Sequence, residues 1–102
     1  MKKTQWAAGL AAAIVCIPLL AEAGPINRAC MASGRQTASR ELCGCLDKVA
    51  RSSLTRSDRR KAARFFKDPQ KAQDIRQSDK PSDEAFWKRY RAFTTTAAQT
   101  CG

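Results

Sequence analysis

The chain has 102 residues, 19 of them lysine or arginine against nine aspartate or glutamate, and no histidine, for a formal net charge of +10. One small domain is all that this length allows. Without histidine there is no Ser-His-Asp triad, no glycine-rich phosphate loop occurs, and the few carboxylates are scattered among more numerous cations; the expectation is a protein that is not an enzyme and holds no cofactor or metal.

Met1-Lys2-Lys3 opens the chain, an apolar run extends from about Ala7 to Leu20, and Ala21-Glu22-Ala23 stands just before Gly24-Pro25. A basic start, an apolar centre and a small-x-small end are the layout of a secretory signal peptide, with cleavage expected after Ala23. The apolar run is shorter than the roughly 20 residues that cross a bilayer, and Pro18 interrupts it, which argues against a transmembrane anchor. Cys16 raises a lipoprotein alternative, although Ala13-Ile14-Val15 lacks the small residue expected directly before a lipid-modified cysteine. The expected division is a cleaved leader, residues 1–23, and a single basic helical domain, residues 24–102, in the periplasm or outside the cell. Removing the leader takes away two lysines, one glutamate and one of five cysteines, leaving 79 residues with 17 basic and 8 acidic side chains.

Helical spacing recurs along the remainder and no β-like alternation is sustained, so the expected fold is all-α, a small disulfide-stapled bundle of four to five short helices. A first helix runs from about Pro25 to Ser33, proline in its opening turn and Gly34 as its stop. A second runs from a Ser39 cap to about Ser53, with Leu42, Leu46 and Val49 as its apolar stripe. A third begins at Thr55-Arg56-Ser57-Asp58, which resembles a capping box, and ends near Lys67. Its inner side is Ala62, Phe65 and Phe66, and its outer side carries Arg60, Arg64 and Lys67. Asp68-Pro69 closes that helix and opens a short one to about Gln77, with Ala72 and Ile75 inward. After a turn at Ser78-Asp79-Lys80-Pro81, the last helix starts near Ser82 and repeats Phe86, Tyr90, Phe93 and Ala97, and Cys101 continues the same stripe.

Four cysteines remain in the domain: Cys30, Cys43, Cys45 and Cys101. An even count in a short exported chain reads as a disulfide framework, and a domain this small needs such staples because its core is small. Cys43 and Cys45 share one helix. With Leu42 at zero and about 100° per residue, Cys43 lies near 100° and Cys45 near 300°, on opposite shoulders of a stripe centred near 10°. Each then reaches a different neighbour. Thiol exchange through the pair lacks the usual two-residue spacing and a thioredoxin-like scaffold, and a thiolate metal site lacks paired ligands on both sides. Loop entropy, about 3 kcal/mol for Cys30–Cys43 and about 4 for Cys45–Cys101, is nearly the same in total for the crossed pairing. The connectivity stays open on that ground, with a lean towards Cys30–Cys43 and Cys45–Cys101.

The run "RSDRRKAARFFKDPQKAQDIRQ" has the charge of a nucleic-acid or membrane contact, or of a solvated helix face. Asp58, Asp68 and Asp74 interrupt it, and Phe65-Phe66 fall on the buried side, leaving no aromatic platform for stacking bases. An exported protein also rarely meets nucleic acid. Anionic lipid, a cell-wall polymer or an acidic protein are the better candidates, with Arg60, Lys61, Arg64 and Lys67 as contacts. Trp87, at the edge of the aromatic stripe beside Arg91, has the composition of a binding hot spot. Asp83 and Glu84 suit the positive end of the helix dipole.

The segments "LCGCLDKVA", "SDRRKAARFFKDPQKAQDIRQSD" and "DEAFWKRYRAF", with Cys30 and Cys101 flanking them, resemble a group of small exported four-cysteine alphaproteobacterial proteins, uncharacterised and sometimes labelled "arginine transporter". The resemblance implies an exported protein and supplies no residue-level site. The label conflicts with the composition, since a domain without a spanning segment forms no translocation path and a cationic amino acid needs convergent carboxylates. The expected function is a non-catalytic basic accessory or binding module for an anionic partner, with a secreted, membrane-active cationic effector as the alternative.

Overall fold

The computed structural model describes residues 23–102, so the expected leader, Cys16 included, lies outside the described residues apart from Ala23. Five helices follow in order: α1 Pro25–Ala32, α2 Arg40–Ser53, α3 Arg56–Lys67, α4 Pro69–Arg76 and α5 Pro81–Cys101. No strand occurs among the described residues. The fold is the all-α, disulfide-stapled bundle expected from the spacing.

Local chemistry sets each boundary. Proline opens α1, α4 and α5, where its missing N–H costs no helical hydrogen bond. Gly34 takes a φ of 74°, the left-handed conformation that ends α1 without a Cβ penalty. The Ser39 hydroxyl accepts the Leu42 N–H at 3.0 Å, and Asp68 accepts the Gln70 N–H at 3.2 Å. Only half of the expected capping box forms: Thr55 Oγ1 accepts the Asp58 N–H at 3.1 Å, while the Asp58 carboxylate turns to Arg89 of α5.

Both staples form in the favoured pairing. Cys30–Cys43 joins α1 to α2 with Cα atoms 5.5 Å apart, and Cys45–Cys101 joins α2 to the end of α5 at 5.8 Å. Helix α1 lies against α2 and α3, α5 against α2, and α4 spans from α3 to α5. The core between them contains Ile26, Ala50, Ala62 and Phe86, each at most 1% exposed, with Phe65, Phe93 and Ala97 around them. Phe65 meets Phe86 and Tyr90 edge-on, at ring separations of 6.0 and 5.1 Å, the geometry that aromatic quadrupoles favour. Helix α4 contributes less than expected, since Ala72 and Ile75 are only partly buried and none of its residues is fully so.

The buried side of α2 departs from the expected stripe. Val49 is buried as expected, but Leu42 and Leu46 are only half-buried, whereas Cys43, Asp47 and Ala50 are fully enclosed. On the same wheel those three fall near 100°, 140° and 80°, so the most enclosed side is turned by roughly 90° from the predicted centre. The cause is that α2 serves two neighbours at once. Helix α1 covers the Cys43 side, α5 approaches the Cys45 side, and Leu42 and Leu46 lie at the seam between them.

The loops closed by the two bridges set the size of their effects. Replacing Cys45 and Cys101 with serine should lower unfolding stability by about 4 kcal/mol, and replacing Cys30 and Cys43 by about 3. Denaturant titration of the two double variants against the oxidised protein measures both, and hydrogen exchange should show the first pair loosening the end of α5 selectively.

Candidate functional site

Helix α3 sorts its twelve residues sharply. Ala62 and Phe65 are buried in the core, while Arg60, Arg64 and Lys67, spaced at four and seven residues, stand together on the exposed face. Arg56 precedes them by one turn. Among the described residues none of these four makes an ion pair. The stripe is thus a row of positive charge without a salt-bridge partner among the described residues, held on a helix that the core anchors from behind.

Beside that row, α1 and α3 enclose an open groove of about 530 Å³. Its floor is apolar, made by Pro25, Ala29, Ala32, Ala63 and Phe66, with Ser33 among the walls. Its charged walls are Arg28 of α1 and Arg64 and Lys67 of α3, and among the described residues no carboxylate lines it. The Arg28 guanidinium donates to the Ala23 carbonyl. Such a surface matches a ligand with a negative head and an apolar body: the cations supply charge-assisted donors and the floor offers apolar contact.

The other two expected contact residues lie elsewhere. Lys61 is turned inward, its Nζ 4.6 Å from the Phe86 ring centroid and 3.9 Å from Asp83 Oδ1. It borders a smaller groove of about 270 Å³ between α3 and α4, where Asp74 offsets part of the positive charge. Trp87 packs half-buried against the core and tilts onto Tyr90 at 5.2 Å. It lines neither of the grooves beside α3. Arg28 was not anticipated. Nothing in the spacing of α1 reveals that its exposed arginine stands across a groove from α3, because that depends on where α1 is docked.

A third groove, about 350 Å³, follows the seam between α2 and α5 and is lined by Leu42, Leu46, Phe93 and Ala97, with Arg35 and Tyr90 among its polar groups. Burial pushes the Tyr90 phenol above its ordinary pKa, and the nearby Arg35 opposes that shift. Arg35 also lies 5.8 Å from the Phe66 ring centroid. The four cysteines all sit in the two bridges. Among the described residues no three histidine, cysteine, aspartate or glutamate side chains converge as metal ligands.

Asp58 and Arg89 fix the angle between α3 and α5. Arg89 Nε meets Asp58 Oδ2 at 2.6 Å and Nη2 meets Oδ1 at 3.1 Å, a two-pronged pair. The hydrogen bond from Arg89 holds the Asp58 carboxyl below the ordinary carboxylate range, with burial acting in the opposite direction. No protein-family model, curated protein or solved structure matches the chain.

A carboxyl whose folded pKa is depressed contributes stability above its unfolded pKa, and that contribution disappears as pH falls through the folded value. Wild type should therefore melt above Asp58→Asn at neutral pH, and the two melting temperatures should converge as pH falls below the ordinary carboxylate range. Thermal melts across that range check the sign; a gap that widens in acid contradicts the assignment.

Proposed function

We propose that this is a non-catalytic, disulfide-stapled basic module of the periplasm or the cell exterior that binds an anionic partner through the exposed face of α3. The observation that carries the reading is the row Arg60, Arg64 and Lys67, without an ion pair among the described residues, beside a groove that adds Arg28 and, among those residues, has no carboxylate in its lining. The apolar floor favours an anionic lipid over a cell-wall polymer or an acidic protein. A polymer of alternating charge and sugar gains little from Ala29, Ala63 and Phe66, whereas an acyl chain gains burial there. The two bridges fit an oxidising compartment, and no described helix is long and apolar enough to cross a membrane.

Binding in this reading is peripheral. Each surface cation near an anionic bilayer contributes about 1 kcal/mol, screened by salt. The apolar faces of the helices are already taken up by the core, so the module rests on its partner without inserting a helix, which disfavours the membrane-disrupting alternative. The arginine-transport label gains no support from the acidic groups: the two buried carboxylates, Asp47 on α2 and Asp58 on α3, face different helices and do not converge on one ligand, and Asp58 is already taken by Arg89.

Cosedimentation with vesicles of phosphatidylglycerol, compared with phosphatidylcholine, tests the proposal. Oxidised protein should bind only the anionic vesicles and should leave them as salt is raised. Changing Arg60, Arg64 and Lys67 together to alanine should weaken binding about 100-fold, on the scale of 1 kcal/mol per cation. Lys61→Ala should alter stability more than binding. Salt-insensitive binding, or equal binding to both vesicle types, would count against the reading, and release of an entrapped dye would favour the membrane-active one.

A further inference from the structure

Asp47 is the most enclosed charge in the described domain, 2% exposed as a residue. It lies in the middle of α2 and faces the first turn of α1, where its Oδ1 accepts the Asn27 backbone N–H at 3.1 Å. Among the described residues its only cation within 4 Å is Arg51, whose Nε is 3.6 Å from Oδ2 and whose side chain is 52% exposed. That separation is too long for a hydrogen bond. An enclosed carboxylate with four acceptor sites ordinarily gathers more donors than one N–H and a distant guanidinium.

Gly24 occupies the remaining approach. A Cβ built there would lie 2.6 Å from Asp47 Oδ1 and 3.0 Å from Oδ2, closer than side chains come. The φ of Gly24 is −85°, open to any residue, so proximity to the carboxylate and not backbone conformation calls for glycine. Adding a Cα–Cβ and an N–Cα bond to the 2.6 Å contact leaves the Gly24 nitrogen at most about 5.6 Å from Oδ1. This is the nitrogen that a cut after Ala23 sets free.

We propose that the Ala23–Gly24 peptide bond is a processing site and that the α-ammonium released on Gly24 is the missing ion-pair partner of Asp47. The inference rests on the export reading given above. Two observations of different kinds select the same bond: the Ala21-Glu22-Ala23 pattern before it and the enclosed carboxylate just after it. Hydrolysis by an exported-protein peptidase adds water across the bond, so that Ala23 leaves as a carboxylate and the Gly24 nitrogen takes up protons to become an ammonium. Rotation about ψ of Gly24, unhindered by a side chain, then swings that ammonium onto the carboxylate. Before the cut the same nitrogen is a neutral amide and the pair does not exist.

Processing has a second effect at the groove. Loss of Ala23 removes the carbonyl that receives Arg28, and Arg28 is the α1 contribution to the cationic wall. The cut that seats the new terminus therefore also frees the third charge of the groove. The charged groups that face this terminus are Asp47 and Arg51 of α2 and Arg28 of α1.

The test uses the full chain, exported by a Gram-negative host and recovered oxidised. Intact mass and N-terminal sequencing should give Gly24 as the first residue. Competitive acetylation at neutral pH, with the exposed Lys48 as internal reference, then reports how strongly the terminal amine holds its proton. The amine should react about tenfold more slowly in wild type than in Asp47→Asn, the equivalent of one pKa unit. If Asp47→Asn fails to accumulate, Gly24→Ala replaces it, since its methyl group displaces the terminus and should restore the faster rate. A product that starts at Gly24 and whose amine reacts at one rate in all variants overturns the ion pair and leaves the export reading standing. A product that starts elsewhere overturns both.

Discussion

The domain depends on a single helix carrying two covalent bonds to two different neighbours. Cys43 and Cys45 are one residue apart, and on a helix that spacing points their sulfurs about 160° away from each other. Neither can therefore serve the other's partner: Cys43 holds α1 and Cys45 holds the end of α5. An eight-residue α1 is too short to persist as an isolated helix in water, so its order comes from its attachment and packing. Once α1 is fastened to α2, its other side lies on α3, and the groove that gathers Arg28, Arg64 and Lys67 follows from that placement.

With the frame set, the cations divide into two kinds. Arg89 braces α3 against α5, Arg51 attends Asp47, Lys61 lies over Phe86, and Arg59 donates to the Leu54 carbonyl at 2.7 Å as α2 ends. These charges support the fold. Arg60, Arg64 and Lys67 make no ion pair among the described residues, and their density on one face raises the local potential. A count of lysines and arginines makes no such distinction. The surface available to a partner is what remains after the structural cations are set aside.

The two buried acids show how a small core accommodates charge. Asp58 has a two-pronged guanidinium and the first turn of α3, which together keep it ionised. Asp47 has the first turn of α1, a distant Arg51, and a glycine pressed against it. Asp58 thus has a directly hydrogen-bonded cation within the folded domain, whereas the cation nearest Asp47 among the described residues stays 3.6 Å away. Asp58 lies in the first turn of its own helix, and the Asp47 carboxylate faces the first turn of α1, where exposed N–H groups favour negative charge.

Much of this architecture was legible in the residues themselves. Ser39, Thr55, Asp68, Pro25 and Pro69 act through bonds to near neighbours in the chain, so their positions alone placed those helix ends, whereas Pro81, expected in the turn, is the first residue of α5. The repeat of Phe86, Phe93 and Ala97 likewise named the buried side of α5, because a helix with one neighbouring layer has one apolar face. Helix α2 defeated the same logic. It is sandwiched between α1 and α5, so its buried side includes Asp47 and excludes part of Leu42 and Leu46, and no local pattern encodes which of two partners lies closer. The same limit applied to the site: the row on α3 was visible as a period, while Lys61 turning onto Phe86 and Arg28 arriving from α1 were not. Short-range hydrogen bonding and helical periodicity are properties of the chain; the docking of one helix on another is a property of the whole fold, and here that docking decided which charges are buried, paired or free.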